Sequence, residues 1–206
     1  MEKAWIKAGK LYGISITEGD IVKHIHGQPG SHTIKTLFGH LSIEEQKSVQ
    51  AYIMHAENTA DYDPILGVSE LILALAAAKI KVGIVTSGWR EKIDRVMAML
   101  HIKNCISVIV DRDDVTRGKP YPDPCLLAAK RLMLLPTKTL VFEDSISGVT
   151  SAVNAGAYCV GISNTELIQH GAQTAIANFS KVKVINQNNN DTCIWLDNEH
   201  KLIYNK

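Results

Sequence analysis

The chain has 206 residues, of which 46% are hydrophobic and 21% charged, and 22 Lys and Arg against 21 Asp and Glu leave a formal net charge of +1. These values are typical of a soluble globular protein and exclude collagen-like, low-complexity and largely disordered chains. The near-zero charge also offers no broad basic face for nucleic acid.

The first 62 residues carry a helical pattern. Apolar residues recur at helical spacing from Trp5 to Leu11, and a further helix is predicted over Thr33 to Phe38. The capping box formed by Ser42 and Glu45 predicts the start of a helix that runs to residue 54. No strand-like alternation occurs in this part. We therefore predict a helical cap domain over residues 1–62.

From residue 63 onward, short apolar runs alternate with helical segments. Strands are predicted over residues 81–86, 106–110, 139–143 and 157–162. Strands that alternate with helices form a parallel sheet with helices on both faces. The predicted fold class is therefore α/β, with a Rossmann-like parallel sheet core over residues 63–206 and the helical cap domain before it.

Helix signals separate these strands. The apolar face of Trp89 to Leu100 predicts one helix. Asp123 is predicted to cap a second helix, with Pro124 at its first position and its end near Met133. The last part of the chain, Thr192 to Tyr204, is predicted to form a hairpin.

Polar side chains are predicted at the carboxyl ends of these strands, where open parallel sheets bind ligands. Thr86 and Ser87 follow the first strand, Glu143 and Asp144 end the third, and Lys119 lies in a loop flanked by prolines. A lysine offers a compact positive charge to phosphate oxygens, and carboxylates are ligands that magnesium prefers. These residues therefore predict a site for a phosphate and a divalent metal ion.

Three segments in order carry a more specific signal: IVTSG (residues 84–88), RGKPYPDP (117–124) and VFEDSISGVTSAVNAGA (141–157). They resemble the second, third and fourth motifs of the haloacid dehalogenase superfamily, in particular its branch of sugar-phosphate phosphatases and β-phosphoglucomutase. Residues 1–62, with HIHGQPG near their centre, resemble the cap domain of that branch. The resemblance implies a magnesium-dependent phosphatase that hydrolyses a small sugar or polyol phosphate through an aspartyl-phosphate intermediate.

The resemblance also implies roles for the phosphate-binding positions. Thr86 corresponds to the hydroxyl that binds the transferring phosphoryl group, and Lys119 to the lysine that offsets its charge. Ser87 and Gly88 would line the phosphate loop. Thr86 and Lys119 are accordingly the predicted catalytic residues.

The metal and the substrate are assigned in the same way. Asp144 corresponds to the ligand of Mg²⁺. Glu143 is either a second ligand or an acidic residue that contacts the ligands without touching the metal ion. In the cap domain, the resemblance points to His26, Gly27 and Gln28 as the positions that contact the substrate.

One element of the family pattern is not found in residues 1–206: an apolar strand that ends in DxDGT, whose first Asp attacks phosphorus. Residues 1–5 resemble the first cap helix, so we expect the nucleophile strand to be missing and the chain to be N-terminally truncated and inactive as given. Asp111 and Asp113 also follow a predicted strand, but the Gly-Thr of the motif does not follow them, so they are not a convincing nucleophile. Residues 61–63 are interpreted as a linker between the cap and the core. The missing strand would leave backbone groups of both its neighbours unpaired.

Two other functions remain open: a catalytically dead protein that binds phosphate in a regulatory role, and a phosphosugar mutase. Neither nucleic acid nor a membrane is an expected partner, and the oligomeric state is not predicted. No stretch is long and apolar enough to span a bilayer, and no secretory signal is found, so a cytoplasmic location is expected. Reduced thiols without zinc are expected at the four widely spaced cysteines, Cys105, Cys125, Cys159 and Cys193.

Overall fold

The structure, a computed structural model, describes residues 2–26, 28–186, 191–197 and 200–205, and for Tyr204 and Asn205 it describes the backbone alone. Before residue 60 the described chain is helical: α1 (Glu2–Leu11), α2 (Glu18–Asp20) continued by a π-helical turn (Ile21–Ile25), α3 (Gly30–Leu37) and α4 (Ile43–Thr59). The predicted helical character of this part is confirmed.

The start of α4 confirms the predicted capping box. The hydroxyl of Ser42 accepts a hydrogen bond from the Glu45 amide at 3.3 Å, and the Glu45 carboxylate accepts one from the Ser42 amide at 2.9 Å. The helix ends five residues later than predicted, at Thr59.

The N-terminal helices enclose a hydrophobic core of their own. Trp5 of α1, Phe38 after α3 and Val49 of α4 are buried in one cluster, and the Trp5 and Phe38 rings lie 6.1 Å apart. This cluster is distinct from those that cover the strands. The predicted domain boundary after residue 62 remains a prediction.

The remaining part alternates helices with parallel strands, which confirms the predicted α/β fold. Its main elements are α5 (Val68–Ala77), β1 (Val82–Val85), α6 (Arg90–Met99), β2 (Ile106–Val110), α7 (Asp123–Leu132), β3 (Leu140–Glu143), α8 (Ile146–Asn154), β4 (Tyr158–Ile162) and β5 (Thr174–Ile176). Short 3-10 helices span Lys103–Cys105, Pro136–Lys138 and Thr165–His170. Each of the four predicted strands lies within one residue of its predicted bounds, whereas β5, with three residues, is too short to leave a recognisable pattern.

The parallel strands form two separate ladders. One joins β1 to β2, and the other runs β3-β4-β5. Val82 of β1 and Leu140 of β3 pack against one cluster, and Val85 and Val141 against another, so the two ladders are neighbours. Among the described residues, however, no backbone ladder joins β1 to β3. The predicted parallel sheet is therefore divided between these two strands.

A third, antiparallel sheet follows, with β6 (Lys183–Asn186), β7 (Asp191–Trp195) and β8 (Lys201–Asn205). The pairing of β7 with β8 confirms the predicted hairpin. One face, with Val184, Ile194 and Leu202, packs against the cluster that also covers β4.

Two further observations concern the thiols and the helices. None of the four cysteines forms a disulfide, as expected, and burial raises the pKa of the Cys159 thiol to about 12. Within the described residues, none of the helices combines the length and the apolarity needed to cross a bilayer.

Candidate active site

A cavity of about 690 Å³ lies between the N-terminal helices and the carboxyl ends of β1 and β3. We call its lining residues from the strand ends and the lysine loop the core wall: Thr86, Ser87, Gly88, Lys119, Glu143, Asp144 and Ser145. Four of the polar lining residues from the N-terminal helices and their connections are called the cap wall: Glu2, His26, Gln28 and Glu57. All described residues that the sequence predicts for the site therefore line one cavity. Gly27, the remaining predicted residue, lies outside the described residues.

Thr86 extends the β1-β2 ladder by one residue. Its amide donates to the carbonyl oxygen of Val110 at 3.0 Å, and its Oγ1 accepts a hydrogen bond from the Gly88 amide at 3.0 Å. A Cβ atom at Gly88 would lie 3.2 Å from that oxygen, so the turn is tight. Because Oγ1 already accepts one bond, its own hydrogen is left to donate to an oxygen of a ligand.

Lys119 and Glu143 form a buried ion pair in which each side chain exposes 9% of its surface. Lys119 Nζ donates to Glu143 Oε1. Burial has the largest single effect on Lys119 and disfavours its charge, but the charge and hydrogen bond of Glu143, together with Cys125 and Asp144, outweigh it, so that the pKa of Lys119 is raised. The lysine is therefore positively charged at neutral pH, at the edge of the cavity.

The loop that carries Lys119 is held at two points. Arg117 donates to both carboxylate oxygens of Asp123, at 2.9 and 3.0 Å, and Ser151 of α8 donates to the carbonyl oxygen of Tyr121 at 2.7 Å. Since α7 begins at Asp123 itself and no side-chain cap precedes it, the prediction that Asp123 caps this helix is wrong. Its carboxylate is taken by the stronger, bidentate pair with an arginine.

The carboxylates at the end of β3 differ in what they already bind. Glu143 Oε1 accepts from Lys119, and Oε2 lies 3.2 Å from the Asp144 amide and 3.3 Å from the Ser145 hydroxyl, both of which donate to it. Gly148 of α8 packs directly against this carboxylate, where a Cβ atom would collide with it. Glu143 is therefore held by the chain, and Asp144 is the carboxylate of this wall that could reach a metal ion.

No cluster of three or more His, Cys, Asp or Glu suited to a metal ion exists among the described residues. Magnesium usually keeps several waters and binds one or two carboxylates together with phosphate oxygens of the substrate. One carboxylate, Asp144, beside a phosphate-binding hydroxyl and a lysine fits that mode of binding. It does not fit a metal such as structural zinc, which requires four protein ligands.

The cap wall is less firmly built. His26 Nε2 and Glu2 Oε1 lie 2.7 Å apart, and their side chains expose 47% and 53% of their surface. Glu57 of α4 lies deeper, with 14% exposed, and pairs with Lys92 of α6 at 3.8 Å. Glu57 and Lys92 are lining residues that the sequence does not predict, because neither lies in a recognisable motif.

Arg112 and Trp89 also line the cavity without having been predicted. The guanidinium carbon of Arg112 lies 3.8 Å from the centre of the Trp89 ring. Arg112 stands between Asp111 and Asp113 after the end of β2, and its position at a polar strand end is the sequence signal for a site residue.

Asp111 borders a second, smaller cavity of about 90 Å³, which Thr86, Ser87 and Lys119 also line. Its Oδ1 accepts a hydrogen bond from the Asp113 amide at 3.1 Å, so this carboxylate shapes its own loop.

Comparison with known proteins gives a family and several relatives. Residues 5–162 match the family described as haloacid dehalogenase-like hydrolase. The chain is 29% identical over 171 residues to validoxylamine A 7'-phosphate phosphatase of Streptomyces hygroscopicus subsp. limoneus, covering 79% of this chain and 78% of that protein. It is 32% identical over 159 residues to the phosphorylated carbohydrates phosphatase of Thermotoga maritima, covering 75% and 73%.

Solved structures are similar over most of the chain. A hydrolase from Pseudomonas syringae superposes with a TM-score of 0.72 at 27% identity, over 85% of each chain. A β-phosphoglucomutase from Clostridium difficile superposes with a TM-score of 0.73 at 23% identity, over 88% of this chain and 85% of that one. At that lower identity the likeness supports the fold alone.

Proposed function

The chain belongs to the family of haloacid dehalogenase-like hydrolases, and on that premise we propose that it is a phosphatase that hydrolyses the phosphate monoester of a small sugar or polyol. The observation that carries the proposal is the single cavity lined by Thr86, Lys119 and Asp144. Two relatives, named for the phosphates of validoxylamine A and of carbohydrates, support the substrate class.

The proposed chemistry rests on binding and charge. Thr86 donates its hydroxyl hydrogen to an oxygen of the phosphate, and Lys119 offsets the negative charge that the phosphate brings into a buried site. Phosphoryl transfer needs mainly positioning and charge neutralisation, which these two groups provide. Asp144 would hold Mg²⁺, which, when bound, supplies further positive charge to the phosphate oxygens.

Glu143 acts through Lys119 in this proposal. Its carboxylate keeps the lysine charged and fixes the position of Nζ, while Ser145 and Gly148 fix the carboxylate in turn. Glu143 is therefore proposed as the carboxylate that positions Lys119 and not as a direct metal ligand.

We also propose that the attacking carboxylate is not among residues 1–206, so that these residues alone hydrolyse phosphate esters at background rate. The divided sheet supports this, since a parallel strand between β1 and β3 could pair with both and end at the cavity. Of the described carboxylates that line the cavity, Glu143 is bound by Lys119, Glu2 and Glu57 are paired with His26 and Lys92, and Asp144 is the proposed ligand of Mg²⁺.

The proposal is tested in two steps on residues 1–206. Calorimetric titration with inorganic phosphate and Mg²⁺ should detect binding that Thr86→Val weakens about tenfold, as the loss of one hydrogen bond to a charged group predicts. Turnover of para-nitrophenyl phosphate should stay at background. A synthetic peptide with an apolar strand ending in Asp-x-Asp-Gly-Thr should raise it, and the same peptide with Asn for the first Asp should not.

Each step can overturn part of the proposal. Absence of phosphate binding would remove the site assignment. Strong turnover by residues 1–206 that Asp111→Asn abolishes would show that the nucleophile lies within the chain. With turnover restored, a panel of hexose, hexitol and glycerol phosphates then identifies the substrate. Phosphate binding with no restored turnover would favour a protein that senses phosphate.

A further inference from the structure

We propose that Arg112 forms a second anion-binding position in the cavity, which selects phosphate esters that carry another phosphate or a carboxylate besides the phosphate that is hydrolysed. This inference rests on the proposed phosphatase function and names the substrate class of the same site. It starts from a buried donor that lacks an acceptor.

The Arg112 side chain exposes 14% of its surface, and its Nη1 atom is buried without a hydrogen-bond partner among the described residues. Buried polar groups nearly always have a partner, and a group without one needs a specific explanation. Because Arg112 lines both the main cavity and the smaller one beside it, a ligand that enters the site can supply the missing acceptor.

The guanidinium group is held in place before any ligand binds. It stacks on the Trp89 ring at 3.8 Å, and its Nε lies 3.6 Å from Asp113 Oδ1. On the cap side, a Cβ atom at Gly30 would lie 3.8 Å from Nη1, so the glycine leaves room beside this donor. Arg112 thus stands where the core meets the N-terminal helices, with one edge fixed and one donor unused.

The ion pairs around the cavity leave Arg112 available for an anion. Two other cations of the lining have carboxylate partners that also line it: the buried Lys119 with Glu143, and the half-buried Lys92 with Glu57. The partner of Arg112, by contrast, is Asp113, whose side chain is 84% exposed and does not line the cavity. Among the described residues, Arg112 therefore forms no ion pair with the carboxylates that line the main cavity, Glu2, Glu57, Glu143 and Asp144. A planar guanidinium suits phosphate and carboxylate groups because its N–H donors match their paired oxygens.

The test measures binding, because it then does not depend on turnover. Residues 1–206 are titrated calorimetrically with Mg²⁺ and four probes: inorganic phosphate, fructose 6-phosphate, fructose 1,6-bisphosphate and 6-phosphogluconate. The bisphosphate should bind more tightly than fructose 6-phosphate, and Arg112→Gln should weaken the bisphosphate about 10- to 100-fold while changing inorganic phosphate less than twofold. The 6-phosphogluconate arm distinguishes a carboxylate from a phosphate as the second group.

Two further variants serve as controls. Arg112→Lys keeps the charge without the planar fork and should restore part of the loss. Arg90→Gln removes the same charge next to Trp89, on a side chain that is 56% exposed and lines neither cavity. Arg90 lies 3.9 Å from Asp111 at the smaller cavity, but an exposed pair contributes little, so all four affinities should change less than about twofold.

Three results would overturn the inference. Equal affinity of the unaltered chain for fructose 6-phosphate, the bisphosphate and 6-phosphogluconate is the first. A loss in Arg112→Gln that is as large for inorganic phosphate as for the bisphosphate is the second, because Arg112 would then serve the phosphate that is hydrolysed. The third is absence of binding by every probe, inorganic phosphate included, which would refute the proposed function as well. The first two results leave the proposed function standing.

Discussion

The two walls of the cavity hold their side chains in different ways. In the core wall, Lys119 and Glu143 each expose 9% of the side chain, whereas in the cap wall His26 and Glu2 expose 47% and 53%. Breaking a buried ion pair is costly, but an exposed pair contributes little. The comparison indicates that the Lys119–Glu143 pair is fixed before a ligand arrives, and that the His26–Glu2 pair can adjust to the ligand.

The backbone explains the contrast. Apart from Lys119 in its loop, the residues of the core wall lie at the ends of strands or directly after them, where ladder hydrogen bonds fix the main chain: Thr86 bonds to Val110, and Glu143 lies opposite Gly161 of β4. The cap wall is supplied by helix ends and connecting turns, such as Glu2 at the start of α1. Fixed positions suit the chemistry that all phosphate esters share, and adjustable ones suit the part of the substrate that differs.

The largest test of this contrast breaks the buried pair. Lys119→Met leaves the Glu143 carboxylate buried without its cation, which is expected to lower the free energy of unfolding by about 3–5 kcal/mol. Urea unfolding followed by tryptophan fluorescence measures the loss. The double variant Lys119→Met/Glu143→Leu should recover much of it, because no charge is then left unpaired. A double variant as unstable as Lys119→Met would contradict this view of the core wall.

A smaller loss is expected from crowding the same carboxylate. In Gly148→Ala the new methyl group would collide with Glu143, so either α8 or the ion pair must move. Overpacking of this kind costs about 1–3 kcal/mol, which the urea midpoint reports. Gly19→Ala is the matched control in the cap, because the new Cβ atom would lie 3.7 Å from its nearest neighbour, Thr17 Oγ1. Alanine also has a higher helix propensity than glycine, so no loss of stability is expected there. Equal effects at the two glycines would remove the distinction.

A third variant, Asp114→Asn, tests how firmly the loop after β2 is held on the core side of the cavity. The Asp114 carboxylate accepts hydrogen bonds from Arg131 and from the Asp111 amide, and these bonds lower its pKa. A depressed pKa stabilises the fold above the ordinary aspartate pKa, and the contribution is lost as the pH falls through the folded-state value. Asp114→Asn should therefore be slightly less stable than the unaltered chain at pH 7. Unfolding curves at pH 7 and below pH 3 check this, and the difference between the two proteins should shrink in acid; a constant difference would contradict it.

The smallest effect on stability is expected in the cap wall. His26→Ala removes one partner of an exposed pair and should change the free energy of unfolding by less than about 1 kcal/mol. If the cap wall contacts the sugar part of the substrate, the affinity for sugar phosphates should change in the same variant, while the affinity for inorganic phosphate stays constant. A variant with a large loss of stability would show that the cap wall is as firmly built as the core wall.

Much of this organisation could be predicted from short-range patterns. The bounds of β1 to β4, the capping box of α4 and the final hairpin were predictable because strands and helix ends are governed by residues close in sequence. The polar residues at the ends of β1 and β3 were predictable because the bounds of these strands were. Their closeness in space was predictable because the carboxyl ends of parallel strands meet at one edge of the sheet. The prediction that Asp123 caps α7 is wrong because its carboxylate is bound by Arg117, six residues earlier in the same loop.

By itself, the sequence determined which segments become strands and helices and which polar residues stand at the strand ends, because those features depend on local periodicity and chain order. Only the tertiary structure decided that the parallel strands form two ladders, that Gly148 packs on Glu143, and that Arg112 lies on Trp89 with an unused donor. These contacts join residues from separate elements, so they depend on how the elements pack against each other. A local sequence pattern does not predict that packing.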